Sequence, residues 1–145
     1  MKTRTSIELT RRDFLQHAGR LATVSALAGV TLPHVHAAGS DLIQVALVGC
    51  GGRGTGAASQ ALLIKTGPIK LVAMADVFAA KLAGSLDRLT KQFAATPGAV
   101  AVPPERQFLG FESYKAAMDV LKPGDVVILA TPPAFRWAHF RYAIQ

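Results

Sequence analysis

An apolar run that ends in a glycine-rich bend narrows the folds open to this chain more than any other feature. Residues 42–48 read Leu-Ile-Gln-Val-Ala-Leu-Val, a strand-length stretch with almost no polar interruption. Near-continuous hydrophobicity of this kind marks a strand covered on both faces, as in a parallel sheet. Gly49-Cys50-Gly51-Gly52-Arg53-Gly54 follows at once. Residues 54–66 then carry Ala57, Ala58, Ala61, Leu62 and Lys65 at helical spacing. Gly67-Pro68 predicts the end of that helix, a glycine C-cap before a residue that cannot continue it. Strand, bend and helix in this order give the G-x-G-x-x-G spacing of Gly49, Gly51 and Gly54 the context it needs to carry meaning.

Each glycine has a separate physical task in such a bend. Gly49 permits the tight turn out of the strand, Gly51 lets a diphosphate approach the backbone, and Gly54 lets the helix pack close to the sheet. The helix start offers free N–H groups and about half a positive charge. Gly52 and Arg53 complete the candidate phosphate loop, with Arg53 divided between a phosphate contact and a solvated surface position. Asp76 closes the next apolar run, Lys70–Ala75, at the place where a carboxylate accepts hydrogen bonds from an adenosine ribose. Its charge repels a 2′-phosphate, so the pattern favours NAD over NADP. Asp76 also suits the N-cap of the helix that follows. Rival glycine loops fit less well: the Gly-Lys-Ser/Thr of a P-loop is absent, a kinase loop leads into a strand, and Thr131 lacks the amide some methyltransferases place there. Cys50 reads as a small buried residue beneath the loop.

The rest of the chain continues the alternation. A helix is predicted over residues 78–93, with Leu82, Leu86, Leu89 and Phe93 forming one stripe. Thr96-Pro97-Gly98 and Pro103-Pro104 mark an irregular loop, and Gln107-Phe108 a very short strand. A short helix over 112–121 carries Tyr114, Ala117, Met118 and Leu121. Val126–Ala130 is a β-branched strand, and after Thr131-Pro132-Pro133 a last helix has Trp137, Phe140 and Ile144 on one face. His139, on the same helix, reads as structural rather than as a proton donor. This order predicts an α/β fold: a Rossmann-type doubly wound parallel sheet, present in part, over residues 39–145.

Charge and cysteine count exclude other classes. The formal charge is +7, but Lys2, Arg4, Arg11, Arg12 and Arg20 lie in the first twenty residues against only Glu8 and Asp13. No basic stripe interleaved with aromatics follows, which argues against nucleic acid. The single cysteine leaves no internal disulfide, and three of the four histidines (His17, His34, His36) precede residue 39, so no metal cluster is expected.

Residues 1–38 resemble a twin-arginine translocation signal. Thr10-Arg11-Arg12-Asp13-Phe14-Leu15-Gln16 carries the paired arginines and the Phe-Leu, with Gln16 where a basic residue is usual. The weakly apolar run from Leu21 to Leu32 falls short of the ~20 residues that span a bilayer, and Val35-His36-Ala37 suits a signal peptidase. The resemblance implies export to the periplasm without a stable membrane anchor, after folding and cofactor loading.

Val45–Gly54, Ala75-Asp76-Val77 and Val127–Pro133 together resemble the glucose–fructose oxidoreductase / inositol dehydrogenase (Gfo/Idh/MocA) family over about residues 43–145. The resemblance implies an NAD(P)-binding domain followed by an α/β domain that binds a sugar or polyol and often forms homo-oligomers. It implies that Thr131-Pro132 lies near the nicotinamide ribose, with hydride passing between a substrate carbon and the ring. The family's Glu-Lys-Pro motif falls beyond Gln145, so no catalytic residue is named. A glycoside hydrolase that uses bound NAD transiently on the same fold, and an inert dinucleotide-binding fragment, stand as alternatives.

Overall fold

The computed structural model describes residues 41–145, so the leader reading of residues 1–38 lies outside the described residues. Four strands alternate with four helices: β1 (Ile43–Val48), α1 (Gly52–Leu62), β2 (Ile69–Asp76), α2 (Ala79–Gln92), β3 (Gln107–Leu109), α3 (Ser113–Asp119), β4 (Val126–Leu129) and α4 (Pro133–Ala143). A 3₁₀ turn at Pro104–Arg106 leads into β3. All strand pairs are parallel, in the order β3-β2-β1-β4. The chain forms an α/β, Rossmann-like partial fold. It builds outward from β1 through β2 to β3, then returns to place β4 on the other side of β1.

The alternation of side chains along β1 sorts the core into two layers. Val45 and Leu47 face α1 and α2, where they meet Ala58, Leu82, Leu89 and Phe93. Ala46 and Val48 face the opposite layer with Tyr114, Ala117 and Met118 of α3. The β1–β2 register shifts after Val45, which pairs with Leu71 while Ala46 pairs with Ala73. Val72 is the extra residue, so Leu71 and Met74 reach the same layer although three positions apart. Ala73 and Ala75 remain for the α3 layer, where small side chains let the short helix lie close to the sheet.

The long connection after α2 is tied down rather than loose. Leu71 donates its N–H to Ala99 at 2.8 Å and accepts from Ala101 at 2.9 Å, a parallel bridge beside β2. This satisfies backbone groups of Leu71 and Ala99, both of which are buried.

Two sequence expectations need correction. α1 ends at Leu62 with Leu63 as its C-cap, not at Gly67-Pro68. Lys65 therefore lies past the helix, and Leu63 and Ile64 are exposed, leaving the next turn no apolar face to bury. In α4 the apolar stripe faces outward: Trp137, Phe140 and Ile144 are 68%, 59% and 66% exposed, while His139 is 6% exposed. A ring stack and a hydrogen bond hold His139 inward, and these outweigh the burial preference of its neighbours.

Leu71 is fully buried between α1, α2 and the bridge at Val100. Leu71→Ala removes a core side chain that its neighbours cannot replace, and is expected to cost about 3–5 kcal/mol. Urea unfolding monitored by circular dichroism checks this.

Candidate functional site

A cleft of about 570 Å³ opens at the carboxyl ends of the strands, lined by Val48 of β1, Ala75 and Asp76 of β2, Gly110 after β3 and Ala130 after β4. The chain reverses its direction of growth between β1 and β4, and the glycine bend leaves β1 at that point. Ligands of open α/β sheets bind at such a switch point, because the loops on either side diverge to opposite faces and leave a crevice.

Close packing dictates the shape of the bend. Gly49 donates its N–H to Ala75 at 2.8 Å, and Ala130 donates to Val48 at 2.8 Å, so the bend is pinned from both flanking strands. Gly49 has φ +97°, and a Cβ there would lie 2.9 Å from the carbonyl carbon of Ala130. A Cβ on Gly54 would sit 1.8 Å from the Gly49 carbonyl oxygen. Both positions exclude a side chain. At Gly51 and Gly52 a Cβ would meet nothing within 4 Å, so the bend is tight behind and open in front. Gly51 is the N-cap of α1, no side chain caps that first turn, and it holds no acidic residue. The first-turn N–H groups of α1 therefore have no side-chain cap.

Asp76 secures the bend from β2. Its Oδ2 accepts the Cys50 N–H at 2.6 Å and its Oδ1 accepts the Phe78 N–H at 2.8 Å. Charge-assisted bonds of this kind are the strong ones. The N-cap of α2 is Phe78, which corrects the alternative that Asp76 caps that helix. Asp76 lines the cleft, and each of its oxygens retains a lone pair for a further donor. Cys50 is buried under the bend, its Sγ donating to the Ala75 carbonyl at 3.4 Å. Burial, reinforced by the Asp76 charge, pushes its thiol up to about 12.

On the β4 side, Thr131 Oγ1 lies 3.1 Å from His139 Nδ1, and Arg136 Nε donates to the Thr131 carbonyl at 2.9 Å. Pro132 caps α4, and Pro133 occupies its first turn, where fixed φ and a missing N–H cost nothing. Burial lowers the pKa of His139 from 6.5, against a weaker opposing pull from Glu112, so the ring is neutral at pH 7.

Of the sequence-derived residues, Gly49, Gly51, Arg53, Asp76, Thr131 and Pro132 line the one cleft. Gly54 lies buried behind it and Gly52 faces solvent, so both act through backbone geometry. Sequence reasoning missed Lys81, whose Nζ stands 5.0 Å from the Phe78 ring centroid at the rim, and the Phe111–Phe135 ring pair at 6.3 Å. Lys81 lies one helical turn past Phe78, a spacing that could have signalled it. Phe111 and Phe135 are far apart in sequence and gave no signal. Among the ionised side chains of the cleft, Arg53, Lys81 and Arg136 outnumber Asp76, which suits an anionic ligand. Among the described residues there is no group of three or more His, Cys, Asp or Glu able to hold a metal ion, and no helix long and apolar enough to cross a membrane. No model of a known protein family matches the chain, and no curated protein matches it.

The Cys50 thiol makes a test of the packing under the bend. Its folded-state pKa lies above the ordinary 9.0, so the stabilisation is full below pH 9 and is lost as pH rises toward 12. Urea unfolding across that range should show a decline that Cys50→Ala lacks. At pH 8 a thiol reagent should modify the unfolded chain and leave the native one intact.

Proposed function

We propose that the cleft binds a nicotinamide dinucleotide, NAD in preference to NADP, and that the chain is the cofactor-binding part of an exported oxidoreductase acting on a sugar or polyol by hydride transfer. The observation that carries this reading is the bend at the switch point, sterically closed at Gly49 and Gly54 and open at Gly51, with the N–H groups of α1's first turn uncapped by any side chain. A diphosphate seated there accepts from those N–H groups and gains from the helix dipole. Arg53 lines the same space and adds a full positive charge.

Asp76 performs two tasks in this scheme. It holds the bend in shape through Cys50, and its remaining lone pairs accept the hydroxyls of one ribose. The carboxylate opposes a phosphate ester at that ribose, which is the basis of the NAD preference. Thr131 and Pro132 stand across the bend, on the β4 side of the cleft. The second nucleoside therefore falls there, because the diphosphate at the bend divides the ligand between the two sides of β1. When bound, the nicotinamide ring supplies the hydride acceptor. Phe111 and Phe135, both on the cleft lining, would offer a bound ligand an apolar surface. The export half of the proposal rests on Arg11-Arg12 and the weakly apolar run that follows them.

Fluorescence titration of the full chain with NADH tests the reading. Saturable binding is expected, with NADPH weaker by about tenfold, or 1.4 kcal/mol. Absence of NADH binding would reject the dinucleotide assignment. Equal affinity for NADPH would reject the role of Asp76 in that preference.

A further inference from the structure

Thr55 and Ser85 stand out in the core because both are polar and each lies on the buried face of its helix. In α2, Ser85 sits in the buried stripe between Leu82 and Leu89. In α1, Thr55 is buried together with Gly54 and Ala58. A buried hydroxyl costs free energy unless it is bonded. These two bond each other, with their oxygens 2.7 Å apart. Thr55 Oγ1 also lies 2.9 Å from the Gly51 carbonyl oxygen. Ser85 Oγ has no partner besides Thr55 among the described residues, and a carbonyl can only accept. The protons are therefore ordered: Ser85 donates to Thr55, and Thr55 donates to Gly51. The opposite order would strand the Ser85 proton and remove the bond to Gly51.

The final acceptor of this relay belongs to the bend. The Gly51 carbonyl accepts the Thr55 N–H at 2.9 Å as well as the Thr55 hydroxyl. It shares one planar trans peptide with the Gly52 N–H, so the two point in opposite directions. A carbonyl held down toward Thr55 turns that N–H outward, past the start of α1, to the side where the space before Gly51 is open. With glycine on both sides, no Cβ resists rotation of this peptide. Resting on the dinucleotide reading, we propose that Ser85 and Thr55 are positioning residues for the diphosphate: their hydroxyl relay holds the Gly51–Gly52 peptide in the orientation that presents the Gly52 N–H to the ligand. Packing alone does not call for the pair, since two apolar groups of the same shape would fill the space with no hydroxyl to satisfy. Ser59 and Gln92 tie the same two helices by a 2.7 Å bond one turn further along α1, at the surface and away from the bend.

NADH titration of the full chain separates positioning from packing. Thr55→Ser keeps the hydroxyl and should bind like the parent. Thr55→Val combined with Ser85→Ala removes both hydroxyls without stranding either. It should bind about three- to tenfold more weakly, the range of one neutral hydrogen bond. Gln92→Ala cuts only the surface tie and should bind like the parent. Parent-like affinity in the double variant would overturn the relay while leaving the dinucleotide reading in place. So would a loss as large in Thr55→Ser, where the hydroxyl is kept, or in Gln92→Ala, where the relay is untouched. Failure of the parent chain to bind NADH would overturn both readings. Should the double variant fail to fold, amide NMR of the parent chain decides. NADH is expected to move the Gly52 N–H resonance downfield, as a phosphate oxygen accepts from it. An unmoved Gly52 resonance in a chain that binds NADH would refute the proposal.

Discussion

The start of α1 lies directly against the end of β1, and the rest of the site depends on this contact. Gly54 lies against the Gly49 carbonyl so tightly that one added carbon would come within 1.8 Å of the oxygen. This contact aims the axis of α1 at the space in front of Gly51. The flanking strands enforce the arrangement through the Gly49–Ala75 and Ala130–Val48 backbone bonds. The bend is therefore a property of the whole sheet rather than of a flexible loop.

Around this seat the charges are unequal in number and different in purpose. Asp76 spends both oxygens on backbone N–H groups of two loops, Cys50 on one side and Phe78 on the other. It is first a structural tie between β2 and the bend. Its availability to a ribose follows from the lone pairs left over. Arg53, Lys81 and Arg136 lie further out, where water weakens their pull on a ligand but leaves it enough to steer one. The neutral, buried His139 occupies the opposite half. The cleft thus has a carboxylate end and an imidazole end, with the positive helix terminus between them.

Much of this was legible in the sequence. The run Leu42–Val48, the glycine spacing and Asp76 at the end of the next strand located the bend and the carboxylate beside it, because each residue type there answers a steric or hydrogen-bonding need that few others meet; the bond from Cys50 to Asp76 gave no sequence signal. The stripe Leu82, Leu86, Leu89 and Phe93 gave α2 to within a residue of either end. The failures came where tertiary contacts compete with local pattern. Gly67-Pro68 looked like a helix stop, but the helix had already lost its buried face at Leu62. The apolar residues of α4 suggested an inward stripe, but the inward position belongs to His139, held by partners 8 and 25 residues away in sequence, Thr131 and Tyr114. Periodicity weighs residues by hydropathy and has no access to a stack or a hydrogen bond formed across elements.

The central claim is that the open space before Gly51 is the seat of a diphosphate. Gly51 has φ −68°, an ordinary conformation for any residue, and a Cβ there meets nothing within 4 Å. Gly51→Val should therefore leave the fold intact while filling the seat. The most direct measurement is NADH affinity of this variant beside its thermal midpoint. The account predicts an unchanged midpoint and no detectable binding. A variant that binds NADH as tightly as the parent chain would contradict it.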